Sequence, residues 1–275
     1  MAESIYDIEK YFKAEIVSHP CGYFSDRIST SVVFYCSSCL PPELVDFILS
    51  AGYRRCDNVY YRNICHQCNA CMSYRIKIKE FLPNRSQRRN IISNSDLQIS
   101  FHKLSISESK KLIYRDYYKE RHSEESFLGS CANDAQIDDI MVSQMFSDFG
   151  NSAECEVTTE SGRIVSFSTV DFGDRSMSAV YTAYDPFFIK RAPGIFAVLS
   201  MIEKCREIGF EYLYLGFFIK NHPKMNYKSS FGYSEILDNC QWLDFNLYRY
   251  PLLDCREFHL QVRQICDSPL RKEQC

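Results

Sequence analysis

The segment SMSAVYTAYDPFFIKRAPGIFAVLSMIEKCREIGFEYLYLG, residues 176–216, decides the predicted fold. Its first part is typical of a strand, and Asp185-Pro186 then marks a turn. Apolar side chains recur at helical spacing between 195 and 208. A short strand follows at 212–216. The segment therefore predicts a strand, a glycine-containing loop, a helix and another strand in succession.

Two more strands are predicted upstream of this segment, at 155–158 and 163–172. Three strands, a loop, a helix and a strand suit an α+β protein with a mixed sheet and a helix packed on it. The order resembles the acetyltransferase-like (GNAT-type) architecture, a mixed sheet flanked by helices. In that architecture the acyl donor enters beside the strand that precedes the glycine loop. A cysteine-bearing N-terminal region is expected in front of this sheet.

The cysteines of that N-terminal region have the spacing of metal ligands. Besides the predicted ligands named below, Cys36 and Cys39 form a C-x-x-C pair that can compete for an ion. His66 is disfavoured as a ligand because two ligands adjacent in the sequence strain a loop. Zinc and a four-iron cluster both suit thiolates, and the alternative is a loop of reduced cysteines without metal. The predicted ligands are a C-x-x-C-x-x-C triplet and one distant residue: Cys65, Cys68, Cys71 and Cys21.

A basic segment follows the cysteine triplet. Strand 73–81 alternates an apolar face with a face of cations, which predicts one buried side and one charged, solvent-facing side. The net charge is only −3, so a polyanion must be met by a local patch of this kind. The alternative is an ordinary solvated surface. The polar residues of the segment are Arg75, Lys77, Lys79, Arg85, Ser86, Gln87, Arg88 and Arg89.

Composition limits the class of protein. The chain has 275 residues, 45% of them hydrophobic, which is enough for a packed core. Its 14 cysteines and an N-terminus without a signal-peptide pattern predict a cytoplasmic protein with reduced thiols. We expect an N-terminal region at 1–90, a transferase domain at 91–248 and a tail at 249–275.

No Ser-His-Asp, Cys-His or paired-carboxylate pattern stands out. A reaction on this scaffold is therefore expected to be direct transfer from an already activated donor. Tyr181, Tyr184 and Asp185 end the longest C-terminal strand where it becomes a loop, a usual place for chemistry. For Asp185 the alternative is a simple Asp-Pro turn.

Several long, ordered motifs resemble one family, the arginyl-tRNA–protein transferases, and within it the short bacterial branch of aspartate/glutamate leucyltransferases. The resemblance covers roughly residues 19–245. The motifs are Gly52-Tyr53-Arg54-Arg55, the Cys65/Cys68/Cys71 triplet, 81–89, 180–186, 212–216 and 223–228.

The resemblance implies an enzyme that moves an amino acid from aminoacyl-tRNA to the N-terminal amine of a protein beginning with Asp or Glu, creating a degradation signal. Leucine is the expected donor, with arginine left open. No cofactor is expected for transfer itself. Eukaryotic relatives hold a metal or iron–sulfur centre, and this chain departs from them at Cys21-Gly22-Tyr23-Phe24, which lacks their second cysteine.

The resemblance also distributes roles among the candidate residues. Arg85, Ser86, Gln87, Arg88 and Arg89 are expected to bind tRNA, together with Lys224, Tyr227 and Lys228 at the donor site. Tyr181, Tyr184 and Asp185 are expected to line the aminoacyl pocket. Asp185 would hold the donor ammonium or orient the attacking amine. Arg54, Arg75 and Lys77 are candidates for the acceptor carboxylate, since acidic recognition needs a cation. The rival interpretations are a non-catalytic zinc-knuckle RNA-binding protein and a small-molecule N-acetyltransferase.

Overall fold

A computed structural model describes residues 12–36, 39–122, 133–148, 151–219, 222, 224–239 and 241–245. The predicted tail at 249–275 and Cys240 lie outside the described residues. The described strands form one four-stranded and one eight-stranded sheet. None of the described helices has the length and apolar character required to cross a membrane.

The small sheet has the strand order β1-β2-β4-β3 and is antiparallel throughout. Its strands are β1 (Phe12–Pro20), β2 (Ile28–Cys36), β3 (Arg54–Cys56) and β4 (Val59–Asn63). Helix α1 (Pro42–Ser50) begins with a proline in its first turn, where the missing N–H has no intrahelical partner to lose.

The large sheet has the order β12-β11-β5-β10-β9-β8-β7-β6. The predicted strands at 155–158, 163–172 and 176–184 are all confirmed. Its strands are β5 (Cys71–Lys77), β6 (Gln98–His102), β7 (Ser152–Thr158), β8 (Ile164–Phe172), β9 (Ser176–Tyr184), β10 (Tyr212–Ile219), β11 (Ser234–Asp238) and β12 (Gln241–Asp244). Strand β5 comes from the N-terminal region and pairs with β10 and β11, so the two sequence regions share a sheet.

The parallel strands β9 and β10 pair only over their first residues, from Tyr212↔Ser176 to Tyr214↔Ser178. Beyond that point β10 is interrupted by a register shift and continues alongside β5 alone. Gly216 lies in the shift with a φ of 73°, which glycine adopts without strain. The two strands therefore separate and leave a crevice at their carboxyl ends. This confirms the predicted splayed, acetyltransferase-like sheet.

Helices complete the core. Helix α5 (Pro193–Glu207) packs on the large sheet through an almost continuous buried face, as its spacing predicts. The other helices are α2 (Arg85–Ser93), which contacts α5, and α3 (Glu108–His122) and α4 (Asp134–Ile140), which pack on each other in a separate cluster. The sheets are joined by a buried bidentate ion pair between Arg55 and Asp171, whose closest N–O distance is 2.6 Å.

Candidate active site

Arg54 on β3 reaches into the mouth of the crevice. Its guanidinium carbon lies 4.9 Å from the Phe217 ring centroid and 5.9 Å from that of Tyr61. A Cβ on Gly216 would lie 2.6 Å from the Arg54 Nε, so only glycine leaves room for this side chain. Among the residues that the structure describes, no carboxylate lies within ion-pair distance of Arg54, and its hydrogen-bonding neighbour is Tyr23.

Lys228 is a second buried basic side chain in the same region. Its Nζ donates to the Phe217 carbonyl oxygen and lies 3.4 Å from the Met225 Sδ. Burial, and then the positive charge of Arg54, hold the pKa of Lys228 well below its usual range, so its neutral form is favoured. The described part of the chain supplies no acid to Arg54 or to Lys228. The positive charge of the crevice therefore comes from Arg54, and it suits an anionic group.

Tyr23, Tyr227 and His222 close this end of the crevice. Tyr227 is 41% exposed, yet burial of its hydroxyl raises its pKa to about 12, opposed by Arg54. His222 is 7% exposed and packs edge-on against Tyr23 and Phe24. The His222 Nδ1 has no hydrogen-bond partner in the described structure. Sequence analysis missed Tyr23 and His222 because both lie in irregular loops that meet only in the fold.

The opposite wall is a group of tyrosines from β9 and α3. The rings of Tyr117 and Tyr184 are 4.8 Å apart, and those of Tyr114 and Tyr181 are 5.9 Å apart. Burial raises the pKa of Tyr181 well above its usual value, so its hydroxyl stays protonated. Arg121 donates from Nε to the Tyr184 hydroxyl at 2.8 Å. The structure thus brings the predicted residues Tyr181 and Tyr184 together.

Asp185 has the contacts of a turn residue. One carboxylate oxygen accepts from the Phe187 N–H at 2.9 Å, and the other pairs with Arg163 at 2.7 Å. It is the N-cap of a short 3₁₀ turn at Pro186–Arg191. Both oxygens therefore already have partners, as the Asp-Pro alternative predicts.

The first turn of α5 has few free backbone N–H groups with which to bind the diphosphate of a nucleotide cofactor. Pro193 has no N–H, and the N–H groups of Ile195 and Phe196 both donate to the Ala192 carbonyl. A Cβ on Gly194 would lie 3.6 Å from the Tyr184 ring, so this ring lies beside the helix start. A nucleotide cofactor needs several convergent N–H groups at such a position, and this helix start does not present them.

Helix α2 carries most of the predicted tRNA-binding residues. Arg85, Ser86, Arg88 and Arg89 are exposed, and the three arginines make no ion pair within the described residues. Gln87 is an exception, because it is buried in a capping box with Asn84. The helix is anchored at both ends next to the crevice: Gln87 donates to the Ser230 carbonyl at 3.3 Å and Asn90 to the Arg191 carbonyl at 2.9 Å.

The cations of β5 differ from the prediction. Tyr74, Ile76 and Ile78 are buried as expected. The prediction of a solvent-facing Arg75 is wrong: it is 8% exposed, with its guanidinium carbon 3.8 Å from the Tyr212 ring centroid.

Arg75 and Lys77 of β5 are already paired with acids. Arg75 bonds Glu235 at 2.7 Å, and Lys77 bonds Glu80 at 2.7 Å. Three residues were predicted to bind the acceptor carboxylate. Among them, Arg54 is therefore the one that forms no ion pair with an acid of the described residues. Lys224, half-buried, begins the turn that carries Tyr227.

The four predicted ligand cysteines line one solvent-open pocket of about 420 Å³. A backbone hydrogen bond from Ala70 lowers the pKa of Cys68, helped by Arg27, whose Nη1 donates to the sulfur at 3.3 Å. Burial raises the pKa of Cys71 to about 11, and the three other thiols add to this. One of the four thiols is therefore predisposed to ionise, and thiolates are the ligands that zinc and iron–sulfur clusters bind.

The spacing of these sulfurs is wider than that of a compact zinc site. No three of the four lie within 4.8 Å of one another in the described structure, whereas tetrahedral Zn–S bonds of about 2.3 Å place sulfurs about 3.8 Å apart. The residues suit a metal by type, but the spacing of their sulfurs in this structure is not that of a zinc site. The alternative pair, Cys36 and Cys39, does not line this pocket. Cys65 contacts β2 at Thr30, and Cys36 is about 20 Å further along that strand at roughly 3.3 Å per residue.

The splayed sheet identifies the chain as acetyltransferase-like, and comparison with known proteins narrows the class. A family model described as "Arginine-tRNA-protein transferase, N terminus" matches residues 19–89, and the corresponding "C terminus" model matches 109–238. The chain belongs to the arginine-tRNA–protein transferase family and is an aminoacyltransferase. This confirms the resemblance found in the sequence.

Curated relatives agree with that class. An "Aspartate/glutamate leucyltransferase" of Leptospira interrogans is 34% identical over 76% of this chain and 79% of its own length. A protein of the same name from Xylella fastidiosa is 31% identical over 88% of this chain and 94% of its own. The crystal structure of FemX matches with a TM-score of 0.47 at 10% identity, covering 89% of this chain and 92% of its own.

Proposed function

We propose that this protein transfers leucine from Leu-tRNA to the N-terminal amine of proteins that begin with Asp or Glu, creating a degradation signal. One observation carries the proposal: Arg54 stands at the crevice mouth without an acidic partner among the described residues. A guanidinium held in this way binds a carboxylate through two parallel hydrogen bonds. The side chain of an N-terminal Asp or Glu supplies that carboxylate next to the reacting amine.

The chemistry requires alignment more than reactive side chains. The α-amine has a pKa of about 8, so a substantial fraction is neutral near pH 7. It attacks the ester carbonyl of the aminoacyl group, and the electron pair of the broken bond leaves with the ribose oxygen, which takes up the proton from the amine. The Tyr227 hydroxyl, whose pKa is about 12, stays protonated and can donate to the oxyanion. Holding amine and ester together accounts for several kcal/mol of the barrier reduction.

The tRNA is held by α2 in this proposal. Its arginines face solvent beside the crevice, so phosphates of the acceptor stem can bind there while the aminoacyl end enters between β9 and β10. Tyr181 and Tyr184 then line the pocket of the aminoacyl group. Lys224 and Tyr227 flank this pocket. Lys228 supports its wall through the hydrogen bond to the Phe217 carbonyl. Charged tRNA is cytoplasmic, and we place the reaction there.

We also propose that Cys21, Cys65, Cys68 and Cys71 hold a structural zinc ion or iron–sulfur cluster. When bound, such a centre would supply a cross-link rather than chemistry. It would tie the loop after β1 to the segment that enters β5. Because Tyr23 is two residues from Cys21 and contacts Arg54, that cross-link would steady one wall of the acceptor site.

One assay separates this function from its rivals. Purified protein is incubated with labelled Leu-tRNA, Arg-tRNA or acetyl-CoA and with peptides beginning with Asp, Glu, Asn or Ala. We expect peptides with Asp or Glu first to be lengthened by leucine. Lengthening by arginine would reassign the donor. Acetylation would support the small-molecule acetyltransferase, and RNA binding without any product would support the non-catalytic module.

A further inference from the structure

Phe187 is a large apolar side chain held out in solvent. It is 72% exposed, whereas its neighbour Phe188 is 9% exposed. Scattered exposed apolar residues are ordinary, but this one is built into a polar frame. The Arg163 guanidinium carbon lies 4.4 Å from the Phe187 ring centroid, and the Phe188 ring meets it edge-on at 5.1 Å.

Asp185 fixes that frame. Its carboxylate accepts from the Phe187 N–H and pairs with Arg163 at the same time. The ring is therefore covered by a guanidinium on one face and exposed to solvent on the other. Arg163 itself is 51% exposed despite its ion pair, so it remains accessible to a second anion.

The position of Phe187 relates it to the tRNA path. It follows Tyr184 by three residues, at the crevice end of β9. The 3₁₀ turn that carries it ends at Arg191, whose carbonyl accepts from Asn90 of α2. An exposed ring thus stands on a turn that joins the aminoacyl pocket to the basic helix.

We propose that Phe187 and Arg163 form a stacking platform for the unpaired 3′ end of the tRNA. An unpaired base offers a π-face to the open side of the ring, and its phosphate offers an anion to the guanidinium. That combination of flat aromatic and adjoining cation fits RNA better than a protein partner, which would not need the cation. The inference rests on the proposed function, because it names how that substrate is held. Asp185 then acts as a positioning residue for the platform.

The test measures binding of two uncharged RNAs: intact leucine tRNA, and the same tRNA trimmed of its unpaired 3′ nucleotides. We expect Phe187→Ala to weaken binding of the intact tRNA about 10-fold and to leave the trimmed one unchanged, since stacking contributes about 1–3 kcal/mol per base. Phe187→Trp should keep the affinity. Ile16→Ala on the edge strand β1, which removes an equally exposed apolar side chain away from the proposed tRNA path, is the matched control.

Salt dependence separates stacking from charge. Phe187→Ala should leave the slope of log affinity against log salt unchanged. Arg163→Gln should reduce the magnitude of that slope by the contribution of one phosphate contact, roughly 0.7–0.9. Asp185→Asn should weaken intact tRNA as Phe187→Ala does. A catalytic Asp185 would instead leave this binding unaltered.

Three outcomes overturn the inference. Phe187→Ala can bind both RNAs like the unchanged protein, it can weaken both equally, or it can raise only the KM for the acceptor peptide, which would point to a protein contact. Each of these leaves transfer by the unchanged protein intact. Failure of the proposed function appears separately, as the absence of any lengthened peptide from the unchanged protein.

Discussion

Arg54 is the residue on which acceptor choice depends, and replacing its charge tests that role. Arg54→Gln should lower kcat/KM for Asp-first peptides about 100-fold, because losing a buried charged partner costs roughly 2–5 kcal/mol. Arg175→Gln, which removes an exposed arginine outside the crevice, should have little effect. Kinetics with Asp- and Ala-first peptides provide the measurement, with thermal unfolding to confirm that both variants fold. Equal kcat/KM for Asp-first peptides in Arg54→Gln and the unchanged protein would rule out this role.

Lys228 gives a residue-scale prediction about pH and stability. Burial and Arg54 lower its folded pKa below the unfolded value of about 10.4, so the unfolded chain binds more protons between these two values. The contribution of Lys228 to stability therefore rises with pH across that interval. Urea unfolding from pH 7 to 9 should show the rise in the unchanged protein and a smaller one in Lys228→Met. Parallel pH profiles for the two proteins would mean that Lys228 does not titrate this way.

Helix α2 is the element that the proposal assigns to the tRNA backbone. The double variant Arg88→Gln/Arg89→Gln should raise the KM for Leu-tRNA and reduce the salt slope by about 1.4–1.8, one share for each lost phosphate contact. Lys119→Gln on α3 removes an exposed cation paired with Asp134 and serves as the control. Binding titrations between about 50 and 200 mM salt supply the slopes. A slope that does not change in the double variant would remove α2 from the tRNA path.

The cysteine pocket joins two elements, the loop after β1 and the strand β5. Metal analysis of anaerobically prepared protein should find zinc or iron, and Cys68→Ser should lose it, because the change removes a proposed ligand whose lowered pKa favours the thiolate. Cys39→Ser is the matched control: this exposed cysteine donates to Asn151 and does not line the pocket. Neither metal above trace in the unchanged protein would end the metal proposal.

Elements with a regular period were predictable, and long-range pairings were not. Strand β9 and helix α5 can be predicted from the local spacing of their apolar residues. Strand β1 cannot, because it lies at a sheet edge with Ile16 70% exposed and no clear apolar face. The burial of Arg75 depends on Tyr212 and Trp242, which the chain brings from more than 130 residues away. Likewise, the crevice needs Tyr23 and His222 from distant loops. The sequence could therefore name Arg54 but not its surroundings.

At the scale of the whole molecule, the two sheets must keep their relative position for Arg54 to reach the crevice that the large sheet forms. The Arg55–Asp171 pair links β3 of one sheet to β8 of the other, and both side chains are almost fully buried. Asp171→Asn leaves a buried guanidinium uncompensated and should lower the free energy of unfolding by about 3–5 kcal/mol.

Arg54 directly precedes Arg55, so the same change should also raise the KM for Asp-first peptides more than the KM for Leu-tRNA. A double variant that replaces both partners with apolar residues, Arg55→Met/Asp171→Leu, removes the uncompensated charge and should recover much of the stability. Chemical unfolding and the two KM values provide the measurements. If Asp171→Asn loses stability while both KM values stay unchanged, the ion pair supports folding but does not position Arg54, and other contacts hold the small sheet against the crevice.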